Sequence, residues 1–209
     1  MLFDWATSPI PTIHTTFIFS VYFVNSIADN SGSFYWGLII GIAGVLTAFL
    51  GPLLGSFSDK KGIRKKTLFI LVLIGFLATS LLWFAKPNEK YFLYAIVFSF
   101  LSILSMELIF VSYNSLLKKV SDKNDYGKIS GLSWCSGYIG GISALIICLV
   151  LFIFPNELPF NISKDQGGDV RSCMVFISIW LVIFSIPIFL YVEEPKKKCD
   201  SKKYYKLFN

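Results

Sequence analysis

Few side chains of this 209-residue sequence could bind a polar solute or move a proton, and they interrupt long apolar stretches. His14 and Asn25 lie in the first stretch, Glu107 and Asn114 lie in the fourth, and Asp4 precedes the first. Glu107 and Asn114 are seven residues apart, two turns of an α-helix, so they share a face. His14 and Asn25 are eleven residues apart, close to three turns. We expect these two faces to look at each other across a cavity, with all five residues as candidate substrate or proton-coupling groups.

The composition requires a membrane environment for these stretches. The residues AVILMFWYC make up 55% of the chain, charged residues only 15%, and Phe occurs 21 times. Soluble domains are about 45–50% apolar even with glycine included, so a soluble fold of this length could not bury so much apolar surface. This excludes an ordinary cytosolic enzyme, a disordered chain and a nucleic-acid-binding protein, in spite of the net charge of +6.

Glu107 has the sharpest functional interpretation of the polar residues. A carboxylate near mid-membrane is costly unless it is protonated, paired or hydrated, which favours proton coupling or binding of a substrate amine. The alternative is a structural hydrogen bond made by its protonated form. His14 similarly leaves open a proton carrier or a satisfied interfacial histidine.

An intramembrane enzyme would need paired carboxylates, a serine–histidine arrangement or metal ligands at depth, and His14 with Glu107 makes none of these. The cysteines have no metal-ligand spacing, and we expect them to be packing residues. We therefore expect no catalytic residue, no bound metal and no cofactor.

Six apolar stretches are each long enough to be candidate membrane-crossing helices, since about 20 residues cross the hydrocarbon. None alternates in polarity as a β-barrel strand would. The predicted spans are Ile10–Ala28, Phe34–Phe57, Leu68–Phe84, Tyr91–Leu116, Gly131–Phe154 and Met174–Val192.

The character of these spans repeats with a period of three. Spans one and four contain the polar groups, spans two and five are rich in glycine, and spans three and six are nearly pure hydrocarbon, which suits a lipid-facing position. Small residues four apart, such as Gly37/Gly41, Gly51/Gly55 and Gly137/Gly141, allow close helix packing. The sequence thus predicts an all-α membrane protein whose six helices form two inverted three-helix repeats.

Basic residues set the expected orientation. Fifteen of the 19 Lys and Arg residues lie within residues 60–66, 118–128 and 196–206, which share one side of a six-helix arrangement. By the positive-inside rule that side is cytoplasmic. We therefore expect a bundle over residues 1–192, a basic cytoplasmic tail or linker over 193–209, and both termini inside. A bacterial inner membrane is favoured over a vacuolar one.

The loop after span two has a recognisable pattern. Gly55, Asp59 and Gly62 are followed by Arg64 and Lys65. Gly62 allows a tight reversal with positive φ, and Asp59 can cap or pair near a helix end. The pattern resembles the loop 2–3 signature of the major facilitator superfamily, with one extra residue before the basic cluster. The resemblance implies that these five residues are gate elements.

Further motifs resemble the vacuole-effluxer-like permeases, relatives of an autophagy-linked amino-acid exporter. One is the opening Phe3-Asp4-Trp5, another the pair Tyr113-Asn114 at the end of span four. The third is the core of span five, whose helix-packing residues are Gly137, Tyr138, Gly140 and Gly141.

This resemblance implies one amino-terminal half of a secondary active transporter, because such permeases have about twelve spans. The expected activity is alternating-access movement of a small solute, amino acids being the first guess, through a cavity lined by spans one, two, four and five. The expected partners are membrane lipid, the solute and a second six-helix half, in the same chain or another, with no nucleic acid. A non-transporting scaffold or assembly protein that retains the half-fold is the alternative.

Overall fold

The computed structural model describes residues 1–28, 31–120, 126–158 and 162–192, with the backbone alone for 115–120 and 126. All regular structure among these residues is helical. The α-helices are α1 (Leu2–Thr7), α2 (Phe19–Tyr22), α3 (Gly32–Lys61), α4 (Arg64–Leu81), α5 (Phe92–Val120), α6 (Tyr126–Cys148) and α7 (Gly168–Tyr191). The π-helical turns are Ile10–Phe17, Phe23–Ile27 and Leu149–Ile153, and the 3₁₀ turns are Leu82–Phe84, Glu89–Tyr91 and Lys164–Gln166.

Five helices of the described chain are long and apolar enough to cross a membrane, one fewer than the sequence predicts. They are Gly32–Lys61, Arg64–Phe84, Glu89–Asn114, Gly127–Ile153 and Gly168–Tyr191. The difference is the first predicted span, which is helical but divided into short pieces. We call residues 2–27 the N-terminal segment; it contains α1, α2 and the first two π-helical turns.

Proline divides the N-terminal segment. Pro9 has no N–H, so the carbonyl of Trp5, four residues earlier, has no backbone donor at that position. The indole Nε1–H of Trp180 in α7 donates to this oxygen at 3.1 Å, and the two indole rings stack with centroids 6.0 Å apart. A tryptophan from another helix thus supplies the hydrogen bond that the proline removes.

The first π-helical turn combines its own backbone hydrogen bond with one from a tryptophan of another helix. The Ile18 amide donates to the carbonyl of Ile13, five residues back, at 3.0 Å. The Trp36 indole of α3 donates to the carbonyl of Thr15 at 3.1 Å. Irregular backbone within a membrane is tolerated only where protein or a hydrated cavity surrounds it, so α3 and α7 must pack around this segment.

The N-terminal segment accordingly supplies much of the core. Ile10, Ile13, Phe19 and Phe23 are fully buried. Phe23 packs against Trp36, with ring centroids 5.2 Å apart. The long helices therefore pack around the buried side of this segment.

Glycines of α6 allow the closest approach to this segment. A β-carbon at Gly140 would lie 2.9 Å from both the Cα and the carbonyl oxygen of Trp5. One at Gly137 would lie 2.7 Å from Ser8 Oγ, and one at Gly141 2.9 Å from Thr12 Oγ1. Backbone packs directly on backbone at Gly140, whereas hydroxyl groups fill the space at the other two.

The glycines of α3 behave differently from the expectation of close packing. Two of them touch another element: a β-carbon at Gly51 would lie 3.3 Å from Val111 of α5, and one at Gly32, the first residue of α3, 3.0 Å from the Cα of Val24 in the N-terminal segment. Gly37, Gly41 and Gly55 have open space where a β-carbon would be, and Gly37 and Gly41 are exposed. Spacing alone could not show which glycine helix meets a partner within this chain.

Hydroxyl groups join the long helices in the interior. Thr79 of α4 and Ser102 of α5 are hydrogen-bonded at 2.8 Å, and Ser80 of α4 donates to Ser178 of α7 at 2.8 Å. The third and sixth predicted spans are therefore not uniform hydrocarbon. Each turns a hydroxyl face toward its neighbours, because an unpaired hydroxyl in lipid would be costly.

Three cationic side chains terminate helices. Arg171 donates to the carbonyl of Trp83 and stacks on its indole ring. Lys164 donates to the carbonyl of Ile153 at 2.6 Å, and Lys65 to that of Val192 at 2.7 Å. The last carbonyls of a helix lack backbone partners and bear partial negative charge, so these cations join helix ends to the first turns of α7 and α4 and to the 3₁₀ turn Lys164–Gln166.

The contact of Gly140 with Trp5 predicts an asymmetric response to alanine substitution. Gly140→Ala should destabilise the detergent-solubilised protein by about 1–3 kcal/mol, because the new methyl group meets backbone atoms that cannot rotate away. Gly131→Ala, on the same helix with open space around it, is the matched control and should be neutral or stabilising. The stability of both variants is measured by heating samples and quantifying the remaining folded protein by size-exclusion chromatography. Equal stability of the two variants would contradict the packing.

The pairing of Trp180 with the proline gap predicts non-additive substitutions. Trp180→Phe keeps an aromatic ring but removes the donor to Trp5, and should cost about 1–3 kcal/mol by leaving a buried carbonyl unsatisfied. In a Pro9→Ala background the restored amide can donate to the same carbonyl, so the cost of Trp180→Phe should fall. A double-mutant cycle on unfolding free energy measures this coupling. Strict additivity would show that the indole hydrogen bond does not compensate for the proline.

Candidate functional site

A groove of about 440 Å³ opens between the N-terminal segment, α5 and α6. Its volume lies within the roughly 300–1,000 Å³ that is usual for small-molecule sites. The groove is lined by Asp4, Ser8, Pro11, Thr12, Thr16, Phe17, Phe110, Asn114, Trp134, Gly137, Tyr138 and Ile142. It contains two of the five predicted solute or coupling residues, Asp4 and Asn114.

Asp4 is the acidic residue of this lining. Its side chain is largely buried, and its Oδ2 accepts a hydrogen bond from the Tyr113 hydroxyl at 2.7 Å. The α-ammonium group of Met1 lies 3.2 Å from the same oxygen. The ring of Phe3 packs on that of Tyr113, with centroids 4.7 Å apart. Tyr113 thereby fixes the orientation of the carboxylate at one end of the groove.

A row of hydroxyl groups continues from Asp4 along the N-terminal segment. Ser8 donates to the carbonyl of Asp4 at 2.8 Å, Thr12 to that of Ser8 at 2.8 Å, and Thr16 to that of Pro11 at 2.9 Å. Thr16 reaches back five residues because the backbone there is π-helical. Each hydroxyl hydrogen is used by the segment itself, so the oxygen atoms of these lining residues are left only as acceptors, those of Ser8 and Thr12 lying against Gly137 and Gly141 of α6.

The polar residues of α5 separate onto two faces. Asn114 lines the groove, and Glu107, exposed and three residues before the groove residue Phe110, lies on the same side of the helix. Ser99 and Ser102 are fully buried on the other side. The shared face predicted for Glu107 and Asn114 agrees with this placement, whereas the serines belong to the interior.

His14 and Asn25 do not share a face. His14 is fully buried, its Nε2 lies 3.1 Å from Ser99 Oγ, and the rings of Phe19 and Trp36 pack around it. Asn25 is exposed. The expectation of three α-helical turns between them is wrong because the segment is partly π-helical and each such turn takes more residues. His14 is therefore in the packed interior and not in the groove.

The loop after α3 forms a compact helix end. Gly62 adopts a left-handed conformation with φ of 66°, and its amide donates to the carbonyl of Asp59 at 3.3 Å. Arg64 forms an ion pair with Asp59, and Lys65 bonds the end of α7. Gly55, one turn before Asp59, is half-buried with open space beside it. The predicted gate residues are thus adjacent, but they lie apart from the groove lining.

Several groove residues were not candidates from the sequence. Ser8, Thr12 and Thr16 recur every four residues after Asp4, and this regular spacing of hydroxyls is the signal that could have identified them. Tyr113 was noted only as part of a motif. Tyr138, predicted as a packing residue, is exposed and forms the groove wall beside Trp134. Among the described residues there is no cluster of His, Cys, Asp and Glu able to hold a metal.

Two family models match this chain, and the residues that they match overlap. Residues 5–145 match the Major Facilitator Superfamily, and residues 118–208 match the family described as vacuole effluxer Atg22 like. These matches confirm the resemblance drawn from the sequence motifs.

A curated relative is an uncharacterized MFS-type transporter, YxiO, of Bacillus subtilis (strain 168), 26% identical over 199 residues. The alignment covers 93% of this chain and 46% of the relative, so the chain spans about half the length of that protein. No solved structure matches this chain significantly. With the superfamily match extending over two thirds of its length, the chain belongs to the Major Facilitator Superfamily.

Proposed function

We propose that this chain is one half of a secondary active transporter that moves a small solute across a membrane by alternating access. The observation that supports this best is the groove beside an interrupted helix. Secondary transporters commonly bind solute at discontinuous helices within the membrane, and here the prolines and π-helical turns of the N-terminal segment adjoin the lining from Asp4 to Phe17. Amino acids are the first candidate solutes.

A second six-helix half completes this proposal. The groove is open along one side, and α3 has exposed glycines together with large exposed apolar side chains such as Phe49 and Leu53. Apolar surface alone would suit lipid, but a glycine face also allows another helix to approach closely. In this arrangement the N-terminal segment is the first of six spans, the two trios are inverted repeats, and a facing half closes the groove.

We assign roles to the sequence candidates within that scheme. Asp4 and Asn114 contact the solute, and Glu107 on the same side of α5 couples protons. Asn25 is exposed outside the groove lining and would meet the solute only before it enters the groove. His14 acts from the interior by holding the N-terminal segment to Ser99. The Asp59–Arg64 pair, positioned by Gly62, acts at the gate.

The basic residues support a matching orientation. With the loop of Asp59 to Lys65 in the cytoplasm, both termini lie there too, and the membrane is a bacterial inner membrane. A scaffold that retains the half-fold would have no use for groove polarity, so it is distinguished from a transporter by the substitutions below.

Transport measurements test the role of Glu107. The protein is produced from its whole gene and reconstituted in proteoliposomes. Glu107→Gln should lower proton-driven uptake of labelled amino acids by about tenfold, because the glutamine cannot exchange a proton. Glu157→Gln removes an exposed carboxylate in a loop outside the groove and should leave uptake unchanged.

Three results would contradict this proposal in different ways. Uptake by Glu107→Gln at the parent rate, with the same pH dependence, would remove Glu107 from coupling. Absence of uptake for every amino acid in the parent protein would remove amino acids as the solute class. Normal folding with no effect of any groove substitution would favour the scaffold.

A further inference from the structure

We infer that the groove recognises the ammonium group of its solute, through the carboxylate of Asp4 and a wall of hydrogen-bond acceptors. This inference rests on the proposed function in one respect, that the groove is the solute path. It goes further by naming the charge and hydrogen-bonding character of the solute.

Hydrogen-bond direction is the first argument. The hydroxyl hydrogens of Ser8, Thr12 and Thr16 are donated to backbone carbonyls of the same segment. The oxygen atoms can then only accept further bonds. An ammonium group has three donors and no acceptor, so a solute bearing one matches this wall, whereas a solute carboxylate does not.

Charge is the second argument. None of the described residues that line the groove is Lys, Arg or His, while Asp4 is among them and Glu107 lies on the same side of α5 outside the lining. The α-ammonium group of Met1 already lies 3.2 Å from Asp4 Oδ2, so this carboxylate pairs with an ammonium group in the structure and a solute ammonium would share it or replace Met1 there. The Tyr113 hydroxyl donates a hydrogen bond to Asp4 Oδ2 and so holds the carboxylate in place. Lys128, near the start of α6, is exposed and is not part of the groove lining.

Aromatic rings are the third argument. Trp134 and Tyr138 are 60% and 64% exposed, and their ring centroids are 5.9 Å apart. Phe17, 58% exposed, contributes a further ring to the lining. Aromatic faces attract cations, tryptophan most strongly. In a groove that already has an acidic residue, they favour an organic ammonium group over an inorganic cation, because the rings also bury its carbon atoms.

A pair of probes with the same side chain and opposite charge tests the inference. L-Leucine methyl ester is a cation, and N-acetyl-L-leucine is an anion. Binding to the protein in lipid nanodiscs is measured by isothermal titration calorimetry, with empty nanodiscs as the blank. The ester should bind with a Kd at least about tenfold lower than that of the anion.

Substitutions at Asp4 identify the group responsible. Asp4→Asn should weaken binding of the ester by about tenfold or more, whereas Asp4→Glu should retain most of it, because the charge is kept. Asp165→Asn, in an exposed loop outside the groove, is the matched control and should bind as the parent does. An unfolding temperature of Asp4→Asn equal to that of the parent shows that its loss of binding is not a failure to fold.

The outcomes separate this inference from the proposed function. Equal binding of the two probes, or undiminished binding of the ester by Asp4→Asn, would overturn the inference even if uptake is measured. Charge-dependent binding that requires Asp4, in a protein that transports nothing, would support the inference and overturn the proposed function.

Discussion

The structure depends on satisfying the backbone hydrogen bonds of an interrupted helix that is packed among five apolar helices long enough to cross a membrane. Lipid offers no donors or acceptors, so every carbonyl left by Pro9 or by a π-helical turn needs a partner from protein. The indoles of Trp180 and Trp36 supply donors from α7 and α3. The hydroxyls of the N-terminal segment supply others within it. Removing these donors would leave buried carbonyls unsatisfied, because Pro9 has no amide with which a regular helix could satisfy the carbonyl of Trp5.

The same constraint produces the groove. Hydroxyl groups that bond their own backbone expose only acceptor oxygens, and they lie along one side of the segment because they recur every four residues. On α6, glycine at position 140 allows the backbones to touch, while Gly137 and Gly141 leave space for Ser8 and Thr12. A packing requirement and a binding surface therefore use the same residues. Changes that improve packing at this contact would alter the groove as well.

Two of the five predicted solute or coupling residues, Asp4 and Asn114, line the groove, and the rest of its lining was not predicted for that role. Glu107 and Asn114 share a face because α5 is a regular helix, and a spacing of seven residues is reliable there. The same reasoning fails for His14 and Asn25, since π-helical turns change the number of residues per turn. His14 is buried against Ser99, whereas the equally spaced hydroxyls on the opposite side form the groove. A spacing of several turns therefore identifies a face only where the helix is regular, whereas a spacing of four residues stays close to one turn in either an α-helix or a π-helix.

The sequence by itself determined the membrane class, the helical content, the glycine turn at position 62 and the family, because hydrophobicity, charge distribution and turn chemistry are local properties. Tertiary structure decided which glycines pack, which hydroxyls reach another helix and which polar residues meet in the groove. It also decided that the first span is interrupted. A proline in the sequence indicates that one backbone N–H is missing. Only the position of Trp180 beside Trp5 shows how the carbonyl group of Trp5 obtains a donor. Such pairings depend on how separate helices approach, which no local pattern encodes.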